Sequence, residues 1–336
     1  ALPIFPHLEL LQRIVIIGSC CVYGFHGQRS FAVFRWFDSF HRFHCAAVEK
    51  TLQVFHNRHP GRGIQWDRIF RGKEDRFREG QLRIMTAGIL GSIHSPADVH
   101  ALSSQQLRDL CLEIRSTLLN YGRKHGGHIG SNLGVVELTV ALHRVFGSPR
   151  DRFVFDVSHQ SYVHKMLTGR AEAYLDESRF GEVTGFTNPL ESEHDSFVLG
   201  HTGTSISLAC GLAKTRDMQH TAAGASEIGN VIAIIGDGSL SSAIAFEGLN
   251  NAAEQGGNLI IVVNDNEMSI AEDFGGMYGN LARLRASNGT AELNLFKAFG
   301  LDYRYVEQGN DVDTLVAALE DAAPAVAHEH VGRRDA

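Results

Sequence analysis

Two hydrophobic patterns take turns along the chain from residue 103 onward. Between Leu107 and Leu118 apolar residues recur at three- and four-residue spacing, which predicts an amphipathic helix. A capping box, Ser103-x-x-Gln106, precedes this stripe and indicates where the helix begins. Elsewhere the apolar residues form short continuous runs, which are typical of strands buried on both faces.

These patterns predict strands that alternate with helices. The predicted strands cover residues 152–157, 231–235 and 259–263. The predicted helices begin at Ser103 and cover residues 135–146, 205–216, 244–255, 291–299 and 312–322. Because strands that alternate with helices form parallel sheets covered on both faces, we expect an α/β fold with one parallel sheet.

The first 84 residues follow neither pattern and differ from the rest in charge. They hold 13 Lys and Arg against 7 Asp and Glu, whereas the remaining residues hold 18 against 31. Interleaved basic and aromatic side chains suit an arm that binds nucleic acid. The alternative, which we favour, is a non-matching extension or a misassigned upstream reading frame, since Met85 opens a stretch typical of the start of a domain. We therefore divide the chain into residues 1–84, a functional domain over 85–322 and a divergent tail over 323–336.

Composition narrows the class of protein further. The 336 residues are 43% hydrophobic and 21% charged, as in a globular protein. A net charge of −7 argues against a general nucleic-acid surface. The five cysteines lack CxxC spacing and indicate free thiols in a reducing compartment. The apolar run over 14–25 is too short to cross a bilayer, so we expect a cytoplasmic protein with no membrane or nucleic-acid partner.

Two predicted strands end in polar triplets. Gly236-Asp237-Gly238 follows the strand over 231–235, and Asn264-Asp265-Asn266 follows the next strand. Ligands of open α/β sheets bind beyond the carboxyl ends of the strands, where these side chains should lie close together. Carboxylate and amide oxygens suit Mg²⁺, and glycines beside a helix start suit a phosphate. Taken singly, the first triplet also suits a hairpin turn, but the helical spacing after it favours a clamp for a metal ion and a diphosphate.

The amino-acid sequences of five segments resemble those of a known family. In chain order, these segments are "VSHQSYVHKMLTGR" (157–170), "ESEHD" (191–195), "GHTGTSIS" (200–207), "AFEGLNNA" (245–252) and "NDNEMSI" (264–270). Together with the two triplets they are similar to the amino-terminal domain of the 1-deoxy-D-xylulose-5-phosphate synthase family, within the transketolase superfamily. The resemblance covers roughly residues 90–320 and implies the thiamine diphosphate-binding fold of that superfamily.

Matching positions imply a set of site residues. By this resemblance Asp237, the side chain of Asn266 and the backbone carbonyl of Met268 hold Mg²⁺. The residues implied to contact thiamine diphosphate are His159, Gly200, His201, Thr202, Gly238, Ser239 and Asn266. His128, in "GGHIGSN", matches the substrate-facing histidine that exchanges protons in the family, and is the catalytic candidate.

The resemblance also implies a reaction and partners. The complete enzyme condenses pyruvate with glyceraldehyde 3-phosphate with loss of CO₂, and is typically a homodimer. Family members continue into a second domain that binds the aminopyrimidine ring and supplies an activating glutamate. We expect this chain to need that domain in cis or in trans and to be inactive alone. The alternatives are a diphosphate-binding subunit of a split transketolase-like enzyme and an inactive truncated remnant.

Overall fold

A computed structural model of the chain describes residues 13–18, 88–223, 226–255, 257–267 and 273–323. Within them, the strands form one parallel sheet in the order β2-β3-β4-β1-β5. Their bounds are β1 Arg13–Gly18, β2 Arg152–Phe155, β3 Val231–Gly236, β4 Leu259–Asp265 and β5 Asp302–Val306.

Helices separate the strands along the chain and vary widely in length. The α-helices are α1 Pro96–His100, α2 Ser104–Lys124, α3 Ile129–Leu133, α4 Val136–Val145, α5 Tyr162–Lys165, α6 Glu172–Leu175, α7 Ser205–Ala223, α8 Asp237–Leu240, α9 Ala243–Gln255, α10 Gly276–Ala286, α11 Leu295–Ala298 and α12 Val312–Ala322. Short 3₁₀ turns cover Leu90–Ser92 and Glu177–Arg179, and a π-type turn covers Met166–Arg170.

Both faces of the sheet are buried, each under its own hydrophobic core. On β3, Ile232 and Ile234 belong to the core that α2, α4 and α12 cover. Ile235, together with Val231, belongs to the core beneath α7, α9 and α10. Successive side chains of a strand point to opposite faces, so a continuous apolar run fills both cores at once. The α/β fold with a covered parallel sheet is confirmed.

Most predicted elements lie within one or two residues of their observed bounds. The capping box is present: the backbone N–H of Ser103 donates to Gln106 Oε1 at 3.0 Å. The helix over 291–299 is wrong at its start. Asn294 accepts hydrogen bonds from the N–H groups of Phe296 and Lys297, and this cap makes α11 begin at Leu295. Neither β5 nor α10 was predicted.

Strand β1 lies inside the segment that composition set apart. It pairs with β4 on one side and β5 on the other, with Ile16 opposite Val263 and Tyr305. These six residues are therefore part of the sheet, against the expectation that residues 1–84 lie outside the functional domain. The rest of that segment and most of the tail over 323–336 lie outside the described residues, so the domain division is otherwise a proposal.

Two further expectations concern cysteines and membranes. Cys111 and Cys210 are buried free thiols, and burial raises the pKa of both. Cys20, Cys21 and Cys45 lie outside the described residues. In the parts of the chain that the structure covers, no helix has the length and apolarity needed to cross a bilayer.

Candidate metal and diphosphate site

The ends of β3 and β4 meet at the carboxyl edge of the sheet. Gly236, the last residue of β3, lies opposite Asn264 in the parallel register. Asp237 follows at once and begins α8, and the backbone N–H of Asn266 donates to its Oδ2 at 3.2 Å. The structure thus brings together the two triplets that the sequence placed at neighbouring strand ends.

Asp237 is a buried carboxylate among other carboxylates. Its residue is 2% exposed, and its Oδ1 accepts from the N–H of Gly238 at 3.0 Å. Burial raises its pKa to about 7, and the charge and hydrogen bonding of nearby Asp265 and the charge of Asp273 act in the same direction. Asp265 is ion-paired with Arg285, which also contacts Glu267 Oε1 at 2.6 Å. One arginine therefore faces several carboxylates, and the cluster keeps an excess of negative charge.

The donor atoms at this edge are oxygens, but the carboxylates do not form a metal centre by themselves. No three His, Cys, Asp or Glu side chains of the described residues converge in the geometry of a metal centre. A cation at Asp237 must therefore take amide, carbonyl, water or phosphate oxygens as its other ligands, the set that Mg²⁺ accepts. The backbone N–H of Asn266 contacts Asp237, and the buried Oδ1 of Asn264 has no hydrogen-bond partner in the described part of the chain. Met268, the predicted third ligand, lies outside the described residues.

Side chains of Tyr278 and Ser241 contact the backbone carbonyls of the turn that is predicted to line the diphosphate. Gly238 and Ser239 form the first turn of α8 directly after Asp237. The hydroxyl of Tyr278 lies 3.4 Å and 3.5 Å from the carbonyl oxygens of Asp237 and Gly238, and Ser241 Oγ donates to the Gly238 carbonyl at 3.0 Å. These side chains therefore contact the turn on its carbonyl side.

The candidate histidines form a second group. His128 precedes α3 and is exposed, and its ring centroid lies 5.2 Å from that of His159 in an edge-to-face arrangement. His159 Nε2 is 3.1 Å from Ser131 Oγ. Burial, together with the charge of neighbouring His128, lowers the pKa of His159 to about 4, although the charge of Asp156 opposes both effects. His159 is therefore neutral at pH 7, and one of its ring nitrogens carries no proton and can accept a hydrogen bond.

The chain reaches His159 through strained backbone. Val157 and Ser158 have φ values of 59° and 67°, a region that side-chain-bearing residues rarely adopt. The Ser158 hydroxyl lies between two loop segments: it accepts from the N–H of Thr187 at 3.2 Å and donates to the Leu199 carbonyl at 3.3 Å. Strain of this kind persists only where surrounding contacts hold it, and it concentrates at functional sites.

The "GHT" turn over 200–202 stands at the start of α7. Gly200, His201 and Thr202 are exposed, and His201 Nδ1 lies 2.9 Å from the Thr202 carbonyl. Behind them the carboxylate of Asp156 accepts from the N–H groups of Gly203 and Ser205. An apolar groove of about 330 Å³ opens beside the turn, lined by Val198, Leu199, Gly200, His201, Thr204, Ser207, Leu208 and Ile244.

Two functional-site features escaped the sequence reasoning. Asp156 directly follows β2, as Asp237 directly follows β3, so the same signal of a polar residue after an apolar run identifies it. Asn132 is fully buried and bonds the backbone of both His128 and His159. No local pattern marks Asn132, because its partners come together only in the folded chain.

His164 and His194, which lie in the matching segments over 157–170 and 191–195, belong to a polar network within the fold. His164 is buried, with Nε2 3.1 Å from Asp195 and Nδ1 2.9 Å from the ring of His143. His194 Nδ1 lies 2.9 Å from Ser148 Oγ. Arg170 completes the network with two hydrogen bonds to Asp195, whose pKa is lowered by its hydrogen bonds to Arg170 and His164 against the opposing effect of burial. Both histidines are satisfied within the fold.

Comparison with known proteins points to one family. The sequence profile of 1-deoxy-D-xylulose-5-phosphate synthase matches residues 90–294. The 1-deoxy-D-xylulose-5-phosphate synthase of Pelotomaculum thermopropionicum is 50% identical over 197 residues, which are 59% of this chain and 30% of that protein. The enzyme of the same name from Chlorobaculum tepidum is 43% identical over 237 residues, 70% of this chain and 36% of that protein. The chain thus spans about a third of the length of these relatives.

The fold has a solved counterpart. The transketolase from Leishmania mexicana superposes with a TM-score of 0.50 at 19% identity, over 66% of this chain and 34% of that one. At this identity the likeness concerns the fold alone, and it agrees with the parallel sheet and its covering helices. The family profile covers more than half of the chain, and the chain belongs to the 1-deoxy-D-xylulose-5-phosphate synthase family.

Proposed function

We propose that the carboxyl edge of the sheet binds thiamine diphosphate together with Mg²⁺. The observation that carries this proposal is the pairing of Asp237 with the backbone of Asn266 at the ends of adjacent strands. In the proposal, Asp237, the Asn266 side chain and the Met268 carbonyl hold the metal ion. The excess of carboxylates over arginine around Asp237 supports a cation there, because a divalent ion neutralises charges that otherwise repel.

The remaining site residues take the other parts of the cofactor. Gly238 and Ser239, in a turn whose carbonyls are already bonded, line the diphosphate. Ser239 offers its backbone N–H to a phosphate oxygen, because that of Gly238 is bonded to Asp237 Oδ1. The cofactor is also contacted by His159, which follows β2 and is neutral at pH 7. The turn Gly200-His201-Thr202, before α7, contacts it as well. When bound, thiamine diphosphate supplies the carbon nucleophile and electron sink of the reaction.

His128 is the proposed proton-transfer residue. It is exposed at the rim of the site and lies next to His159, so a substrate can reach it. Its neighbour His159 has a pKa of about 4 and stays uncharged, so it does not repel a proton on His128. A positioned histidine can both donate to and accept from a substrate oxygen near neutral pH.

The reaction of the complete enzyme is proposed on the family membership. It is the condensation of pyruvate with glyceraldehyde 3-phosphate with loss of CO₂, carried out by a homodimer in the cytoplasm. Because this chain spans about a third of its relatives' length, we propose that a pyrimidine-binding domain, in cis or in trans, completes the active site. This chain's part is to anchor the diphosphate and present His128.

Calorimetric titration of the full chain with thiamine diphosphate tests the proposal. Saturable binding is expected with Mg²⁺ present and only weak binding with EDTA, since the diphosphate is held through the metal. Thiamine without the diphosphate serves as the matched control ligand and should not bind measurably. Absence of thiamine diphosphate binding in both conditions would contradict the proposal and favour an inactive remnant.

A further inference from the structure

We propose that Asn132 is a positioning residue that holds the two candidate site histidines, His128 and His159, through one buried side-chain amide. The inference rests on the proposed function for the roles of those histidines, but its geometry stands on its own. It assigns a task to the residue directly after Ser131 in "HIGSN", where α3 passes beneath the site.

The side-chain amide of Asn132 forms hydrogen bonds with three backbone groups around the two histidines. Both N–H groups of Nδ2 are used, one to the carbonyl of His128 and one to the carbonyl of His159, each at 2.8 Å. Oδ1 accepts from the N–H of Tyr162, also at 2.8 Å. The residue is 0% exposed, so water does not compete for these bonds. A flipped amide would turn its oxygen toward two carbonyls, and this fixes its orientation.

The backbone that Asn132 bonds is irregular on both sides. His128 has φ −86° and ψ 56°, outside the helical and extended regions, and His159 follows the positive φ values of Val157 and Ser158. Such segments relax unless tertiary contacts over-determine them. A single rigid amide that bonds both carbonyls fixes the distance between His128 and His159, which are 31 residues apart in sequence.

Neighbouring contacts act in the same direction. Ser131 Oγ lies 3.1 Å from His159 Nε2, and the Tyr162 hydroxyl accepts from the N–H of His128 at 3.3 Å. Asn132 therefore links three backbone segments, those of His128, His159 and Tyr162. The side chains of its neighbours Ser131 and Tyr162 bond the same two histidines. We infer that the ring separation of 5.2 Å depends on this amide.

The test compares Asn132→Ala and Asn132→Ser with Asn294→Ala in the full chain. Asn294 is a matched control because it too is a buried asparagine that bonds two backbone groups, at the start of α11. The first readout is the titration of the His159 imidazole by NMR, assigned with His159→Gln. The second is the affinity for thiamine diphosphate with Mg²⁺.

Loss of the amide should expose the His159 ring. Because burial is the main cause of its low pKa, with His128 and Asp156 as the charges that face it, the midpoint should rise from about 4 toward 6.5 in both Asn132 variants. The affinity for thiamine diphosphate should fall about 10- to 100-fold, the range typical of groups that orient a ligand-binding side chain from behind. Asn294→Ala should leave both quantities at the parent's values.

The outcomes separate this inference from the proposed function. If the parent does not bind thiamine diphosphate, the proposed function fails, while the His159 titration still decides the role of Asn132. An unchanged His159 midpoint in folded Asn132→Ala or Asn132→Ser would overturn the inference. If neither variant folds, hydrogen exchange in the parent decides: slow exchange of both Asn132 side-chain amide protons is expected, and fast exchange would overturn the inference.

Discussion

The backbone N–H of Asn266 donates to Asp237 Oδ2 across 3.2 Å, although the two residues are 29 positions apart in sequence. The bond joins the ends of β4 and β3, which are neighbours in the parallel register. Parallel strands joined by a crossover helix deliver their carboxyl ends to one edge, so polar tips on consecutive strands become one site. This relationship explains why the chain places acceptor-rich triplets after two successive apolar runs.

Asp156 should be essential for the stability of the "GHT" turn. Asp156→Ala leaves the N–H groups of Gly203 and Ser205, which it bonds at 2.8 Å and 3.0 Å, buried without a partner. At about 1–3 kcal/mol for each of the two unsatisfied groups, we expect a loss of roughly 2–6 kcal/mol in the free energy of unfolding. Urea unfolding measures it. Asp176→Ala, which removes an exposed carboxylate bonded to the N–H of Ser178, is the control and should cost clearly less; equal losses would contradict the assignment.

Gly203 and Ser242 should be coupled. Gly203 has φ +81°, and a Cβ built on it would lie 1.8 Å from Ser242 Oγ and 2.9 Å from Ser242 Cβ. Gly203→Ala should therefore destabilise the protein by backbone strain of about 1–2 kcal/mol and by overpacking of about 1–3 kcal/mol.

Ser242→Gly should relieve the overpacking but not the strain. In a double-mutant cycle measured by urea unfolding, we expect a coupling free energy of at least about 1 kcal/mol between the two positions. The single Ser242→Gly change is itself expected to lose the hydrogen bond to the N–H of Ala245. Strictly additive losses would show that the turn and the start of α9 do not touch.

Stability should fall as the pH drops below neutrality. Burial lowers the pKa of His159 and of His194 to about 4, against an ordinary value of 6.5. Between these values the unfolded chain binds protons that the folded chain excludes, so the stability that these histidines contribute is complete above pH 6.5 and is lost toward pH 4. Asp237, whose pKa is raised to about 7, acts in the opposite direction and offsets one of these protons. The buried His143 and His164 have pKa values shifted in the same direction.

The melting temperature should therefore fall by several degrees between pH 7.5 and pH 5. His194→Gln should flatten that dependence, because one of the excluded protons is removed from the balance. His94→Gln, at an exposed position, serves as the control and should follow the parent. A melting temperature that rises toward pH 5 would contradict the burial of these histidines in neutral form.

Strand β1 should contribute to the stability of the sheet. Ile16→Pro removes a backbone N–H in the middle of a strand that is paired on both sides, opposite Val263 and Tyr305. Proline is excluded from such positions. We expect a loss of at least about 1–3 kcal/mol, the cost of leaving the partner carbonyl without its donor. Ile16→Val keeps the N–H and is the matched control. If Ile16→Pro melts like Ile16→Val, the segment is dispensable, as its composition predicted.

How far the sequence predicted the fold depended on whether the signal was local. Val231–Gly236 and Leu259–Asp265 were predictable because an apolar run buried on both faces is a local feature. Asp302–Val306 was missed because its burial is only partial and its residues "DYRYV" are mostly polar or aromatic. Its place in the sheet depends on β1, which comes from the other end of the chain.

The same distinction applies to the site. The proximity of Asp237 and Asn266 was predictable, since each follows its own strand and adjacent parallel strands end at the same edge of the sheet. The role of Asn132 was not, because its partners at 128, 159 and 162 are assembled by packing of α3 against the end of β2. The family resemblance supplied the roles of His128 and His159, but not the amide that connects them.

The most direct test of the metal and diphosphate site is calorimetric titration of Asp237→Asn with thiamine diphosphate and Mg²⁺. The change keeps the size of the side chain but removes the negative charge that the metal needs. Its amide oxygen can still accept from the N–H of either Gly238 or Asn266, which bond the two carboxylate oxygens of Asp237, and its NH₂ group cannot replace the second acceptor. Glu247→Gln, which neutralises an exposed carboxylate on α9, is the control for net charge. We expect Asp237→Asn to lose at least about 100-fold in Mg²⁺-dependent affinity, while Glu247→Gln binds like the parent. Equal affinity in Asp237→Asn and the parent would show that the carboxyl edge of β3 does not hold the metal ion.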